Sequence, residues 1–171
     1  MRLYIARHGI AQPRGANGVR SDEERELTPK GRRRVQGVAG GLRVLGCRPG
    51  RIGTSPLARA EQTARTMAEI LCPDAPLEVC DFLAPEGNGA EGIAWLKAHR
   101  DDNEVMVVGH LPGVAQMASE MLLGTGCLDM IFKKAAVCCL RFEPEPEPGE
   151  GRVEWLLQPR QLRLLGEGGT S

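Results

Sequence analysis

Five short strand-like segments, at residues 3–6, 51–53, 105–108, 137–142 and 153–157, are separated by stretches where apolar residues keep helical spacing. Such runs, bounded by turn residues, read as buried strands. Behind Thr28-Pro29, the positions Val35, Val38, Ala39, Leu42 and Leu45 predict a helix; its start combines an N-cap residue with proline at the first helical position. Ser55-Pro56 repeats that signal ahead of Leu57, Ala60, Ala64, Met67, Ala68 and Leu71. A third pattern (Val114, Met117, Ala118, Met121, Leu122) follows Leu111-Pro112, and a shorter helix is expected over 90–98. Strands alternating with helices imply parallel β-α units. The last two strands differ: residues 143–151, an alternation of Pro and Glu followed by glycines, cannot join a ladder and predict an exposed loop between antiparallel strands.

At 171 residues the chain is most simply one domain with a substantial core. Lys plus Arg and Asp plus Glu each total 22, so the formal net charge is zero. That balance argues against gripping nucleic acid or an anionic membrane as the main task, and any positive field must be local. With neither an apolar N-terminal leader nor a run of 18 apolar residues, the expectation is a soluble cytoplasmic protein. The oligomeric state is open, with a monomer favoured. Cys47, Cys72, Cys80, Cys127, Cys138 and Cys139 show no CxxC spacing and read as small buried hydrophobes in a reducing compartment. Three histidines, none beside a cysteine, make a zinc site unexpected.

Three predicted strand ends carry polar residues suited to an anion. The first strand stops at Arg7-His8-Gly9, the second at Thr54-Ser55 ahead of Arg59, and the third at Gly109-His110-Leu111-Pro112. If these strands are parallel neighbours, all three turns open on one sheet edge, where ligands of such sheets bind. The second and third turns also begin helices, whose free N–H groups favour phosphate oxygens. Arg7 and Arg59 could then clamp a phosphoryl group by bidentate bonds. Nearby guanidinium groups should keep His8 neutral, and a carbonyl bonded to its other ring nitrogen would aim it as a nucleophile. His110 would stabilise the oxyanion. The chemistry is phosphoryl transfer to His8 followed by hydrolysis, with arginines supplying the neutralisation that a metal would otherwise give, so no metal or other cofactor is called for.

Blander readings stand beside these. His8 and His110 could be satisfied turn histidines, and Arg59 could pair with Glu61 or Glu24. Arg25 is a candidate third cation at the pocket rim, hence a substrate-binding residue beside Arg7, Arg59 and His110. Arg32, Arg33 and Arg34 read as a solvated helix face. His99 suits a helix C-terminus, and Trp95 and Trp155 suit the core.

Arg7-His8-Gly9, the stretch Leu27-Thr28-Pro29-Lys30-Gly31, the segment from Ser55 to Ala64 and Gly109-His110-Leu111-Pro112 occur in an order that resembles the histidine phosphatase superfamily, also called phosphoglycerate mutase-like. Within it the chain looks like the short SixA-type phosphohistidine phosphatases, from Met1 to about Leu165. The resemblance implies Arg7, His8, Arg59 and His110 as the catalytic core. It also implies a three-layer α/β/α sandwich whose central sheet is mostly parallel, with an antiparallel strand near the C-terminus. Larger members carry an acidic proton donor in an insertion after the second helix; here Leu83-Ala84-Pro85-Glu86-Gly87-Asn88 stands there without a long insertion. Glu86 is the candidate general acid, or else a loop carboxylate in water. Imidazole is a good leaving group without strong acid assistance. The expected substrate is therefore phosphohistidine on a protein. The alternatives are a small phosphoester hydrolase or mutase of the same superfamily, and a non-catalytic module that binds phosphorylated ligands.

Overall fold

Alternate residues of the central strands face opposite sides of one sheet, and both sides are apolar, so each must be covered by helices. In the computed structural model, which describes residues 1–168 apart from 17, 20, 126, 127 and 144, both are. Six strands, β1 (Arg2–Arg7), β2 (Arg51–Thr54), β3 (Leu77–Val79), β4 (Glu104–Gly109), β5 (Val137–Arg141) and β6 (Arg152–Leu157), lie in the order β3-β2-β4-β1-β5-β6. β3, β2, β4 and β1 pair in parallel, and β5 runs against both β1 and β6. Tyr4, Ala6, Met106 and Val108 pack with α1 (Pro29–Val44), α2 (Ala58–Leu71) and α5 (Pro159–Gly168). Leu3, Ile5, Val105 and Val107 pack on the other face with α3 (Gly89–Ala98) and α4 (Gly113–Leu123). This is the α/β/α sandwich expected from the sequence.

Local chemistry sets the helix starts. Thr28 caps α1, its Oγ1 accepting the Gly31 N–H at 2.9 Å, and Pro29 opens the helix. The buried face of α1 is Val35, Val38, Ala39 and Leu42, whereas Leu45 is the exposed C-cap residue and not part of that stripe. Gly41 lets α1 meet α5 closely, since a Cβ there would lie 1.9 Å from the Leu162 carbonyl oxygen. At α2 the cap residue is Leu57, not Ser55; Ser55 is fully buried and its Oγ accepts the Leu57 N–H at 3.3 Å.

Three elements were not expected: β3, α5 and a 3-10 turn at Asp81–Leu83. The 143–151 connection is less exposed than its composition suggests. Pro146 is buried, and the Gly149 and Gly151 N–H groups donate to carbonyls at the end of α4. Cys47, Cys80, Cys138 and Cys139 are buried and, like the half-buried Cys72, unpaired. Cys127 and Pro144, which the sequence reading assigned to the buried cysteines and the exposed loop, lie outside the described residues. Trp155 stacks on Tyr4 and Trp95 packs beside Phe82, both partly buried against the core as expected. Among the described residues no helix is long and apolar enough to cross a membrane.

Candidate active site

β4 lies between β1 and β2, so the C-terminal ends of these three strands stand side by side. The ladder continues into the turns: His8 N–H donates to the Gly109 carbonyl and Ser55 N–H to the Val108 carbonyl, each at 3.0 Å. His8, Ser55 and His110 are thereby held on one edge by backbone bonds. Gly9 follows at a point of close contact. A Cβ on it would meet Val35 Cγ2 at 2.7 Å and Leu27 Cδ2 at 3.0 Å, so glycine serves close packing against α1. The Gly9 N–H donates to Thr63 Oγ1 at 3.0 Å, and that hydroxyl donates to the Arg59 carbonyl at 2.7 Å. The turn of His8 is thus tied to the first turn of α2.

The two imidazoles are buried, with ring centroids 4.9 Å apart. His8 Nδ1 lies 2.7 Å from the Gly9 carbonyl oxygen. A carbonyl only accepts, so Nδ1 carries the proton and Nε2 holds a free lone pair. His110 Nε2 lies 2.9 Å from Ser55 Oγ. Ser55 is fully buried and, among the described residues, its hydroxyl has no acceptor other than this Nε2, so the hydroxyl proton goes there, which leaves the His110 proton on Nδ1. That Nδ1 is buried with no partner among the described residues, and so is Arg7 Nε. Two cleft-lining residues thus each carry a buried donor without an acceptor among the described residues. Burial above all, then the neighbouring His110, pushes His8 down to about 3, while Arg59 and Arg7 add less. Burial, then Arg59, pushes His110 down to about 4. Both rings are neutral at neutral pH; the sequence reading had the direction and credited the guanidinium groups with what burial chiefly does.

The cleft has a volume of about 330 Å³ and is rimmed by arginines. Arg7 donates through one terminal nitrogen to the Phe132 carbonyl at 2.6 Å. Arg59 donates to the Asp22 carbonyl at 2.7 Å and to its carboxylate at 2.9 Å. The same carboxylate accepts from Arg25 at 2.7 Å and Arg14 at 3.0 Å. The bond from Arg25, with those from Arg14 and Arg59, holds Asp22 well below the usual carboxylate range despite partial burial. Lys134, which precedes β5, also lines the cleft. Burial and then Arg7, Arg25 and Arg59 lower its ammonium from the ordinary value.

The structure brings Arg7, His8, Arg25, Arg59 and His110 into this cleft. Arg59 is paired there with Asp22, and with neither Glu61, which bonds Arg65, nor Glu24. Glu86 is exposed and does not line the cleft, where its neighbour Pro85 does. At the start of α2 four backbone donors are already used: Leu57 N–H by Ser55, Ala58 N–H by the Glu23 carbonyl, and Ala60 and Glu61 N–H by the Leu57 carbonyl. These four amides are therefore not free for a phosphate, and guanidinium side chains line the cleft. Asp22, Arg14 and Lys134 escaped the sequence reading. A signal for Lys134 existed: a strand antiparallel to β1 must begin beside the end of β1, which puts residues just before it next to Arg7.

Fold and cleft together define an α/β protein with a paired-histidine, arginine-rimmed cleft at the carboxyl edge of its sheet. Comparison with known proteins makes the class specific. Residues 3–84 match the model of the histidine phosphatase superfamily (branch 1). An uncharacterised protein of Picosynechococcus sp. is 37% identical over 143 residues, 82% of this chain and 85% of that protein. The phosphohistidine phosphatase SixA of Escherichia coli is 29% identical over 166 residues, 96% of this chain and 98% of the relative. A solved structure of the protein histidine phosphatase SixA complexed with tungstate superposes with a TM-score of 0.82 at 29% identity, covering 95% of this chain and 99% of the other. The chain belongs to the histidine phosphatase superfamily, and these likenesses support phosphatase activity.

Proposed function

We propose that the protein hydrolyses phosphohistidine on a protein substrate through a phosphorylated His8. The observation that carries the reading is the Nδ1 bond of His8 to the Gly9 carbonyl, which leaves Nε2 unprotonated and fixed in direction. The phosphoryl group sits against Arg7 and Arg59, with Arg25 at the rim. Arg7 Nε and His110 Nδ1, the two buried donors without partners, receive phosphoryl oxygens as charge shifts onto them. Each unmet buried donor costs about 1–3 kcal/mol, which a bound oxyanion offsets. Nε2 attacks phosphorus, the imidazole of the substrate leaves, and water then releases orthophosphate from His8. The guanidinium groups supply the neutralisation throughout. Phosphohistidine on a protein is supported by the likeness to SixA.

The test pairs a variant with a substrate panel. Folded His8→Ala should lose turnover, and the wild type should prefer a phosphohistidine peptide over sugar phosphates and phosphoglycerates. Retained turnover in His8→Ala refutes the nucleophile. Turnover of the small esters alone refutes the substrate class.

A further inference from the structure

The cleft holds few protons that can move. Its arginines keep theirs at any working pH. Asp22 is held ionised by three arginines. The proton of His8 is bonded to Gly9, and the His110 ring, bonded through Nε2 to Ser55, is neutral and keeps its proton on Nδ1. Glu86, the sequence candidate for an acid, is outside. Lys134 is the remaining cleft residue with a proton it can give up and take back.

Its position is built. The segment bearing it is stitched to the nucleophile turn: Arg7 N–H donates to the Ala136 carbonyl at 3.0 Å, and the Ala135 N–H is shared between the Arg7 and His8 carbonyls, each at 3.1 Å. The guanidinium of Arg7 reaches the Phe132 carbonyl from the same side. Ala135 is held at φ 68°, a left-handed conformation costly for alanine, so the direction of the chain at Lys134 is enforced by its surroundings. No carboxylate pairs with the Lys134 ammonium among the described residues, and Arg7, Arg25 and Arg59 face it. A cation kept among cations costs free energy unless it has a task there.

We propose that Lys134 is the proton donor to the leaving group and the proton acceptor for the hydrolytic water, an inference that rests on the covalent reading above. In the first step His8 Nε2 forms its bond to phosphorus and the bond to the leaving atom breaks. The ammonium of Lys134 gives one proton to the departing group: to the oxygen of an ester, or to the far ring nitrogen of phosphohistidine, so that neutral imidazole departs. In the second step water attacks phosphorus, the Lys134 amine takes its proton, and the electron pair of the P–N bond returns to His8. The lowered affinity of Lys134 for its proton suits both steps.

The test measures the rate of His8 phosphorylation by p-nitrophenyl phosphate, whose leaving group departs unaided, and by phenyl phosphate, whose leaving group has a tyrosine-like pKa of about 10. Lys134→Met and Lys134→Arg should both lose about a hundredfold or more on phenyl phosphate and far less on the nitrophenyl ester. Arginine keeps the charge and holds its proton, so near-wild-type rates in Lys134→Arg overturn the proposal. Equal losses on both esters in Lys134→Met overturn it too. Absence of phosphate from His8 after rapid quench with a phosphohistidine peptide as well as with both esters overturns the nucleophile assignment itself, a result distinct from these.

Discussion

Gly9→Ala perturbs the nucleophile without touching a charged group. A Cβ at Gly9 would stand 2.7 Å from Val35 Cγ2 and 3.0 Å from Leu27 Cδ2, both on side chains with essentially no room to retreat. Overpacking of this kind costs about 1–3 kcal/mol. For a chain of this size, each kcal/mol lowers Tm by roughly 2–4 °C, so a drop of roughly 2–12 °C is expected. The rate should suffer more. The Gly9 carbonyl aims His8, and its N–H leads through Thr63 to the Arg59 carbonyl, so relief of the clash displaces nucleophile and clamp together. A misplacement on the order of 1 Å costs about a hundredfold. Thermal unfolding and rapid-quench phosphorylation of His8 measure the two effects. Val35→Ala in the Gly9→Ala background removes the closest atom and should recover part of both losses, with a coupling of about 0.5–3 kcal/mol in the double-mutant cycle. A Gly9→Ala protein with unchanged Tm and rate refutes the close-packing account.

Acid should weaken the fold through the two site histidines. They sit near 3 and 4 in the folded chain against 6.5 when unfolded, so the unfolded chain binds more protons within that interval. Their contribution is complete above pH 6.5 and is lost as pH falls toward 4, so the urea midpoint should drop between pH 7 and pH 5 and imidazole 15N shifts should show both rings still neutral at pH 5.5. A charged His8 or His110 at that pH contradicts the assignment. Asp22→Asn should bind orthophosphate more tightly, because a negative charge leaves the cleft, yet phosphorylate His8 more slowly, because Arg59 loses its charged anchor. Weaker orthophosphate binding, measured by calorimetry, would show that Asp22 serves the site in another way.

The parts of this molecule legible in the sequence are those whose signal is local. Thr28-Pro29 names the start of α1 because a cap hydroxyl and a proline act within one turn. The tripeptide Arg7-His8-Gly9 marks a strand end because an apolar run stops there, and His110 follows β4 in the same way. β3 was invisible because three half-exposed residues carry no period. α5 has one fully buried leucine, Leu162, amid arginines and glycines, and is held to α1 by a contact distant in sequence. The shape of the cleft was legible only in part for the same reason. Asp22 reaches Arg59 across 37 residues, and Lys134 comes to Arg7 only because β5 pairs with β1. Gly9 was read as a turn residue; its need is steric and comes from Val35 and Leu27.

The central claim is that Nε2 of His8 carries the phosphoryl group. Rapid quench of the wild type with a phosphohistidine peptide, followed by mass spectrometry and NMR of the trapped protein under alkaline conditions, tests it directly. The account predicts a single acid-labile phosphate on His8, attached through Nε2 and absent from His8→Ala. Phosphate on another residue, attachment through Nδ1, or turnover with no covalent intermediate would contradict it.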